Sequence, residues 1–487
     1  MKKTLNNILK NPLTWPVLIV TFFTFFSRFL GFVRQYLVIR NLNELQSDLL
    51  INANKIPEII SVVLLMGTIY SSVLPVAARI ESKDRDEKNI SAYLNLITIG
   101  LVGLITVFII LGIIFTPFLL QYFSPGLWEK ATNANLISDY ILASRILFLF
   151  PLAFAMQAIW GVFLTLKKRF LVYSLAGVIT NLGTVAALLI TQGDFVKVAF
   201  GIVWGGFLAS ILFLYYSLLD GFKLPKLSFN WYTKQFNFFK KEFWRTWKLF
   251  LPRILVIDGF YAASILISVV ISADQSTNGG ITAFDIGTSI QGAFFIIVTS
   301  LGTVLFPDLS KTFHDKNINR VDFWKKTSNY IKISAVLGLA VTVITMIGSP
   351  LIVLLFKFLG QQQNNGNQII LIAQVTSISL VFRAVREVLV RYIYIRERVW
   401  QPLILSTASG IVLIITTLIL INQFNFEAVL AVSVGFISYN FFWVLLAWII
   451  YKRDYYTEKP WLVNRQLVLF EEQTNPITTF ENIGNAK

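Results

Sequence analysis

The residues most able to do chemistry in this chain are arginines placed where charge is costly. Phe25-Phe26-Ser27-Arg28-Phe29-Leu30-Gly31-Phe32-Val33-Arg34 sits inside an apolar run over 15–39. A hydrocarbon core of about 30 Å takes about 20 helical residues, so this run is long enough to cross a bilayer. A charged side chain at the bilayer centre costs at least about 2.5–3.5 kcal/mol. Arginines there must therefore face a wet cavity, a carboxylate or an anionic ligand. At a rise of about 1.5 Å per residue, Arg28 and Arg34 stand about 9 Å apart along one helix axis, at two depths of a single polar path.

The theme recurs along the chain. Arg383, Arg386, Glu387 and Arg391 fall at i, i+3, i+4 and i+8. They share one helix face, with Glu387 in reach of either Arg383 or Arg391. A guanidinium presents a fixed fork that suits phosphate oxygens. Asp48, Asn52 and Lys55 form a polar stripe, and Glu58 three residues after Lys55 makes a structural ion pair there as plausible as a functional one. Asp285 heads a seam with Thr288, Ser289 and Gly292. It is a candidate to hold Arg28, Arg34 or Arg253, or a coupling monovalent cation. Arg253 follows Pro252, where a broken helix would expose backbone donors to an anion. Within the apolar runs, Arg28, Arg34, Lys55, Arg145, Arg253, Arg383, Arg386 and Arg391 outnumber Glu58, Asp258, Asp285 and Glu387. Pairs that served structure alone would balance, so the surplus implies an anionic visitor. The candidate cavity residues are Arg28, Arg34, Asp48, Asn52, Lys55, Arg253, Asp258, Asp285, Arg383, Arg386 and Glu387.

The elements that must position these groups are membrane helices. Only 14% of the 487 residues are charged and 55% are hydrophobic, with mean hydropathy +0.67. A soluble chain carries roughly 25% charged residues. Apolar runs fall at 15–39, 49–77, 93–118, 140–166, 171–191 and 198–219, then at 247–271, 281–306, 331–356, 369–395, 402–421 and 428–451. The predicted fold is an all-α polytopic membrane protein of about 12 transmembrane helices, in two pseudo-symmetric six-helix lobes around a central cationic cavity.

The halves share spacing. Gly67-Thr68 precedes Pro75 as Gly302-Thr303 precedes Pro307, and Lys167-Lys168-Arg169 closes the fourth run as Arg396-Glu397-Arg398 closes the tenth. Repeats of this kind place a substrate site between the halves near the midplane. The predicted division is 1–220 for the first lobe, 221–246 for an amphipathic cytoplasmic linker, 247–451 for the second lobe and 452–487 for a polar, mobile tail.

The net charge of +16 collects in alternate loops, and the opposite loops hold only Arg40, Lys130, Lys197 and Lys357. The positive-inside rule then puts both termini in the cytoplasm and removes the nucleic-acid reading. Met1 to Lys10 followed by a long run broken by Arg28 reads as a retained first span, not a cleaved signal. The absence of cysteine excludes disulfides and thiol chemistry. The one histidine, His314, lies in a charged loop, and no GxxxxGK[ST] loop is present. No enzyme, metal or bound cofactor is expected. A gradient- or potential-driven transporter is.

Ser27-Arg28-Phe29-Leu30-Gly31-Phe32-Val33-Arg34 resembles the first-helix signature of the MurJ (MviN) family of lipid II flippases, in the multidrug/oligosaccharidyl-lipid/polysaccharide exporter superfamily. The resemblance continues through Asp48, Lys55-Ile56-Pro57, Gly67, Leu74-Pro75, Ser124-Pro125-Gly126, Arg169-Phe170 and Asn181. In the second half it covers Asp285, Leu301 to Lys311, and Arg391-Tyr392 to Pro402. It implies a bacterial cytoplasmic-membrane flippase that moves an undecaprenyl-pyrophosphate-linked peptidoglycan precursor from the inner to the outer leaflet. Arg28, Arg34, Asp48 and Asp285 would belong to its cavity. A monomer is expected, with cell-wall synthesis proteins as possible partners in peptidoglycan synthesis and cell shape.

The chain departs from the family pattern at Ile286, where an arginine is usual, and over Val62 to Met66, where basic residues and an acid are usual. Two further helices that form a lipid-tail groove are also not expected. These departures keep two alternatives in play: export of another polyprenyl-linked oligosaccharide, and a non-transporting scaffold in cell-wall synthesis.

Overall fold

The computed structural model describes residues 14–61, 67–84, 87–191, 193–225, 228–254, 265, 269–270, 279–314, 320–359, 366–396, 398 and 400–474. Among these the regular structure is helical throughout, without strands. The first lobe comprises α1 (Thr14–Asn41), α2 (Glu44–Ser61), α3 (Gly67–Asp84), α4 (Glu87–Phe123), α5 (Pro125–Asn133), α6 (Ile137–Leu147), α7 (Phe150–Leu166), α8 (Phe170–Thr191) and α9 (Phe195–Leu219). α10 (Phe229–Phe238) and α11 (Lys240–Ile254) link it to the second. That lobe holds α12 (Gly280–His314), α13 (Arg320–Phe358), α14 (Gly366–Ser377), α15 (Ser379–Ile395), α16 (Gln401–Phe424) and α17 (Ala428–Thr474). Eight stretches among the described residues are long and apolar enough to cross a membrane, and the bent pair α14–α15 makes a ninth. The chain is a multi-pass membrane protein.

Two predicted runs are broken for local reasons, and in a third, 49–77, α2 is described to Ser61 and α3 from Gly67, with 62–66 outside the described residues. Pro57 near the end of α2 removes a backbone donor, and Ser61 Oγ donates back to the Pro57 carbonyl at 2.8 Å. The run 140–166 divides into α6 and α7 just before Pro151, which occupies the first turn of α7. The run 369–395 bends by 42° between α14 and α15. Thr376, Ser377 and Ser379 each donate a side-chain hydrogen bond back to a carbonyl three or four residues earlier, a pattern that bends helices. Beyond 452, where a polar tail is expected, the described residues continue α17 to Thr474. Most of the seventh run, 247–271, lies outside the described residues.

Small residues set the tightest helix crossing. On α9, Gly201 and Gly205 face Gly183 of α8, and a Cβ placed on Gly183 would lie 2.5 Å from the Gly205 Cα. Backbones in contact replace side-chain interdigitation there, as membrane helices commonly arrange. The second lobe is held at its arginine-rich end by a network that fixes α17 to α15. Arg396 reaches Glu458 at 2.9 Å and Asp454 at 3.5 Å, Arg398 reaches Asp454 at 2.7 Å, and the Tyr392 hydroxyl donates to Asp454 at 2.9 Å. Trp324 Nε1 adds a bond to Glu458 at 3.1 Å. These anchors explain why the helix outlasts the apolar run.

Ser228 caps α10 by accepting from the Trp231 N–H, and α11 buries Phe243, Thr246 and Phe250 against the first lobe. Tyr93 of α4 and Thr246 share a 2.5 Å hydrogen bond. α11 therefore runs unbroken across the 246/247 boundary expected between linker and second lobe.

Candidate functional site

The lobes approach most closely where α2 meets α12. The hydrogen bonds and ion pairs described between them sit at the end away from the Lys/Arg-rich loops. The Asp48 carboxylate accepts from the Gly279 N–H at 2.8 Å, the Thr282 N–H at 2.8 Å and the Thr282 hydroxyl at 2.7 Å. Asp48 thus caps the start of α12 and ties that helix to α2. Lys55 Nζ lies 2.8 Å from Asp285 Oδ1, one level deeper. The Tyr36 hydroxyl donates to the Leu359 carbonyl, and the Tyr36 ring packs on Phe356 at 5.7 Å.

Below this seam lies a cavity of two joined chambers. The larger, about 630 Å³, has a wall of mixed polar and apolar side chains. Thr24, Ser27, Gln157, Tyr173, Ser174 and Asn181 line it from α1, α7 and α8. The smaller, about 460 Å³, lies between the lobes and is charged, with Glu58, Asp285, Arg383, Arg386 and Glu387 in its wall. Arg28 and Arg34 line both chambers, with Gln35, Glu58 and Ser289. The expected α12 seam is present, since Asp285, Thr288, Ser289 and Gly292 all face the charged chamber.

α1 holds its arginines in a distinctive way. It packs mainly on α8, where Asn181 Nδ2 donates to the Ser27 carbonyl at 3.0 Å. Arg28 is exposed to the cavity, and among the described residues no carboxylate lies within ion-pair distance of Arg28 or Arg34. Arg34 shares a field with Lys55, Glu58 and Asp285 without a hydrogen bond to any of them. On α15 the sequence left open which arginine Glu387 holds, and the structure pairs it with Arg391. Arg383 lies over the Phe295 ring at 4.4 Å, and Arg386 donates to Asn440 at 3.3 Å beside the Trp443 ring.

The structure relocates other expected residues. Asp48 is buried in the inter-lobe seam and lines neither chamber, held there by three donors at the start of α12. Asn52 turns into the first lobe, where its Oδ1 accepts from Ser124 at 3.0 Å and from Tyr140 at 2.5 Å. Lys55 pairs across the lobes and not with Glu58 on its own helix. Arg253 falls in the last turn of α11, and Asp258, Val62 and Met66 lie outside the described residues. Ile286 is buried in the chamber wall beside Asp285. Reading the sequence for charge surplus passed over Glu58 as a cavity residue and missed the neutral set Gln35, Gln157 and Tyr173. Only the spacing of Glu58 from Lys55 hinted at the former. Among the described residues no cluster of acids or histidine has metal-binding geometry.

The family model described as lipid II flippase MurJ matches residues 43–469. A protein of Buchnera aphidicola subsp. Schizaphis graminum (strain Sg), named probable lipid II flippase MurJ, is 24% identical over 357 residues, covering 72% of this chain and 66% of its own. The chain spans about two thirds of the length of the curated relatives it matches. Among solved structures, a lipid II flippase MurJ in an inward closed conformation superposes with TM-score 0.67 at 17% identity, over 89% of this chain and 87% of that one. An inward-facing multidrug-resistance transporter of the MATE family and MOP superfamily superposes with TM-score 0.68 at 14% identity, over 89% and 96%. Both likenesses establish the two-lobed transporter fold.

Proposed function

This chain belongs to the MurJ family, and on that footing we propose that it is a flippase for lipid II, a transporter and not an enzyme. One observation carries the reading. Arg28 and Arg34 line both chambers of a cavity between the lobes, with no carboxylate at ion-pair distance among the described residues. Cations held in this way suit a pyrophosphate, whose oxygens accept charge-assisted hydrogen bonds from guanidinium groups. The uncharged polar side chains of the larger chamber, among them Gln157 and Asn181, suit the hydroxyls and amides of a glycopeptide headgroup.

The Lys/Arg-rich loops face the cytoplasm by the positive-inside rule, which puts both termini there. The α2–α12 seam then closes the outer side, and the cavity receives substrate from the inner leaflet. Parting Asp48 from α12 and Lys55 from Asp285 would open the outer side, and the lobes would alternate about the fixed cavity. An inside-negative potential favours outward movement of an anion by about 2.3 kcal/mol per charge per 100 mV, so membrane potential or a coupled ion gradient would supply the drive. One chain supplies both lobes, so a monomer suffices.

The test is complementation of a flippase-depleted bacterium. Wild type should rescue growth, while Arg28→Ala and Asp285→Ala should not, at equal membrane abundance. Rescue by Arg28→Ala would overturn transport through this cavity and leave a scaffold for cell-wall synthesis proteins. Failure of an inserted wild type would move the substrate to another polyprenyl-linked glycan.

A further inference from the structure

The helices that join the lobes turn two different faces to their surroundings. The inner face is apolar and seated: Phe239, Phe243 and Phe250 are buried against α3, α4 and α7, and Trp247 packs over Gly100. The outer face interleaves long cations with large aromatics. Lys234, Lys240, Lys241, Arg245 and Lys248 are all exposed, and Phe229, Phe238 and Trp244 are 82%, 65% and 52% exposed. Lys240, Trp244 and Lys248 run down one line of α11 at i, i+4 and i+8, with Arg245 at their side. Glu242, the acid in this stretch, is partly buried.

We propose that this outer face of α10 and α11 is a docking surface for anionic phospholipid headgroups, and that acidic lipid is a ligand of the linker in its own right. Covalent geometry places the face at the right depth. Lys248 stands at the start of the seventh apolar run, 247–271, and Ile254 lies six residues further along the same helix, about 9 Å. The first turns of α11 therefore lie at headgroup level, where amphipathic aromatics settle and phosphates accept from lysine and arginine. A cluster of four to eight cations beside a span is the electrostatic match for an acidic leaflet. The inner face is seated on the first lobe while α11 leads into the second. Lipid held on the outer face would therefore brace the hinge between them. This surface is separate from the cavity, and the proposal holds whatever the cavity carries.

The experiment follows thermal unfolding of the full chain in detergent micelles titrated with phosphatidylglycerol, or with phosphatidylcholine of the same acyl chains, at low and high salt. Phosphatidylglycerol should raise the midpoint at mole fractions where phosphatidylcholine does not, and salt should weaken the effect. K240Q/K241Q/R245Q/K248Q should need roughly tenfold more phosphatidylglycerol for the same rise. Equal responses to the two lipids, or a wild-type response from the variant, overturn the proposal and would leave the face to an acidic protein. If that variant unfolds in phosphatidylcholine alone, K241Q/R245Q provides the same reading, with an expected shift of roughly threefold. A wild-type response from this double variant also overturns it.

Discussion

α1 and α15 both carry arginines through a membrane domain, and they keep them in opposite ways. On α1 the cavity lies against Arg28 and Arg34, and beside them the Asn181 side-chain amide donates to the Ser27 carbonyl. On α15 each arginine has a neighbour that fixes it: the Phe295 ring for Arg383, Asn440 and Trp443 for Arg386, and Glu387 for Arg391. A cation with fixed partners contributes shape and field, as Arg383 and Arg386 do in the chamber wall, whereas one in the same cavity with no carboxylate beside it is set to bind. The lesson is that counting charges in spans locates a site only when partners are counted too.

The largest effect that would sharpen this contrast is Arg28→Ala, expected to lower transport at least about 100-fold at normal membrane abundance, against about tenfold or less for Arg391→Ala. Growth rescue and quantified membrane levels of both variants give the comparison, and equal losses would break it. Next comes the seam that both helices flank. Lys55→Met and Asp285→Asn each strand a charge, so a double-mutant cycle in thermal unfolding should show a coupling of about 1–3 kcal/mol. Additive effects would mean that the pair does not hold the lobes together. Smaller again is Phe295→Leu, which takes the ring from under Arg383 and should cost about 0.5–2 kcal/mol in the same assay.

The smallest effect is a control outside the spans. Asp194 caps α9 by accepting from the Val196 and Lys197 N–H groups. Burial raises its carboxyl, but the Lys197 side chain and these backbone bonds outweigh it and hold the pKa below 3.8. A carboxyl depressed on folding contributes stability above its unfolded pKa and loses it as pH falls through the folded value. Asp194→Ala should therefore cost about 1 kcal/mol at neutral pH, and the deficit should shrink as pH falls below the ordinary aspartate range, without changing transport. A transport defect would link this turn to the cycle.

Much of the architecture was legible in the residues. Hydropathy marked the long helices from α1 to α17. The α12 seam was legible as well, because Asp285, Thr288, Ser289 and Gly292 fall on one helical face. The site was legible only in part. Asp48 and Asn52 shared a stripe with Lys55, yet the three serve an inter-lobe cap, an internal hydrogen-bond pair and an ion pair. Glu58 carried no local sign that it faces Arg34. The polar wall of Gln157 and Tyr173 comes from α7 and α8, far in sequence from Arg28 and Arg34.

By itself the sequence determined that this chain spans a membrane repeatedly and carries more cations than acids in its apolar runs, because the cost of charge in hydrocarbon depends on composition along one helix. Only the tertiary structure decided which cations keep partners. Lys55 chose Asp285, 230 residues away, over Glu58, and Glu387 chose Arg391 over Arg383. Such choices depend on how helices rotate and how closely they approach. Contacts such as Gly183 against Gly205 fix that between helices, and no local periodicity encodes it.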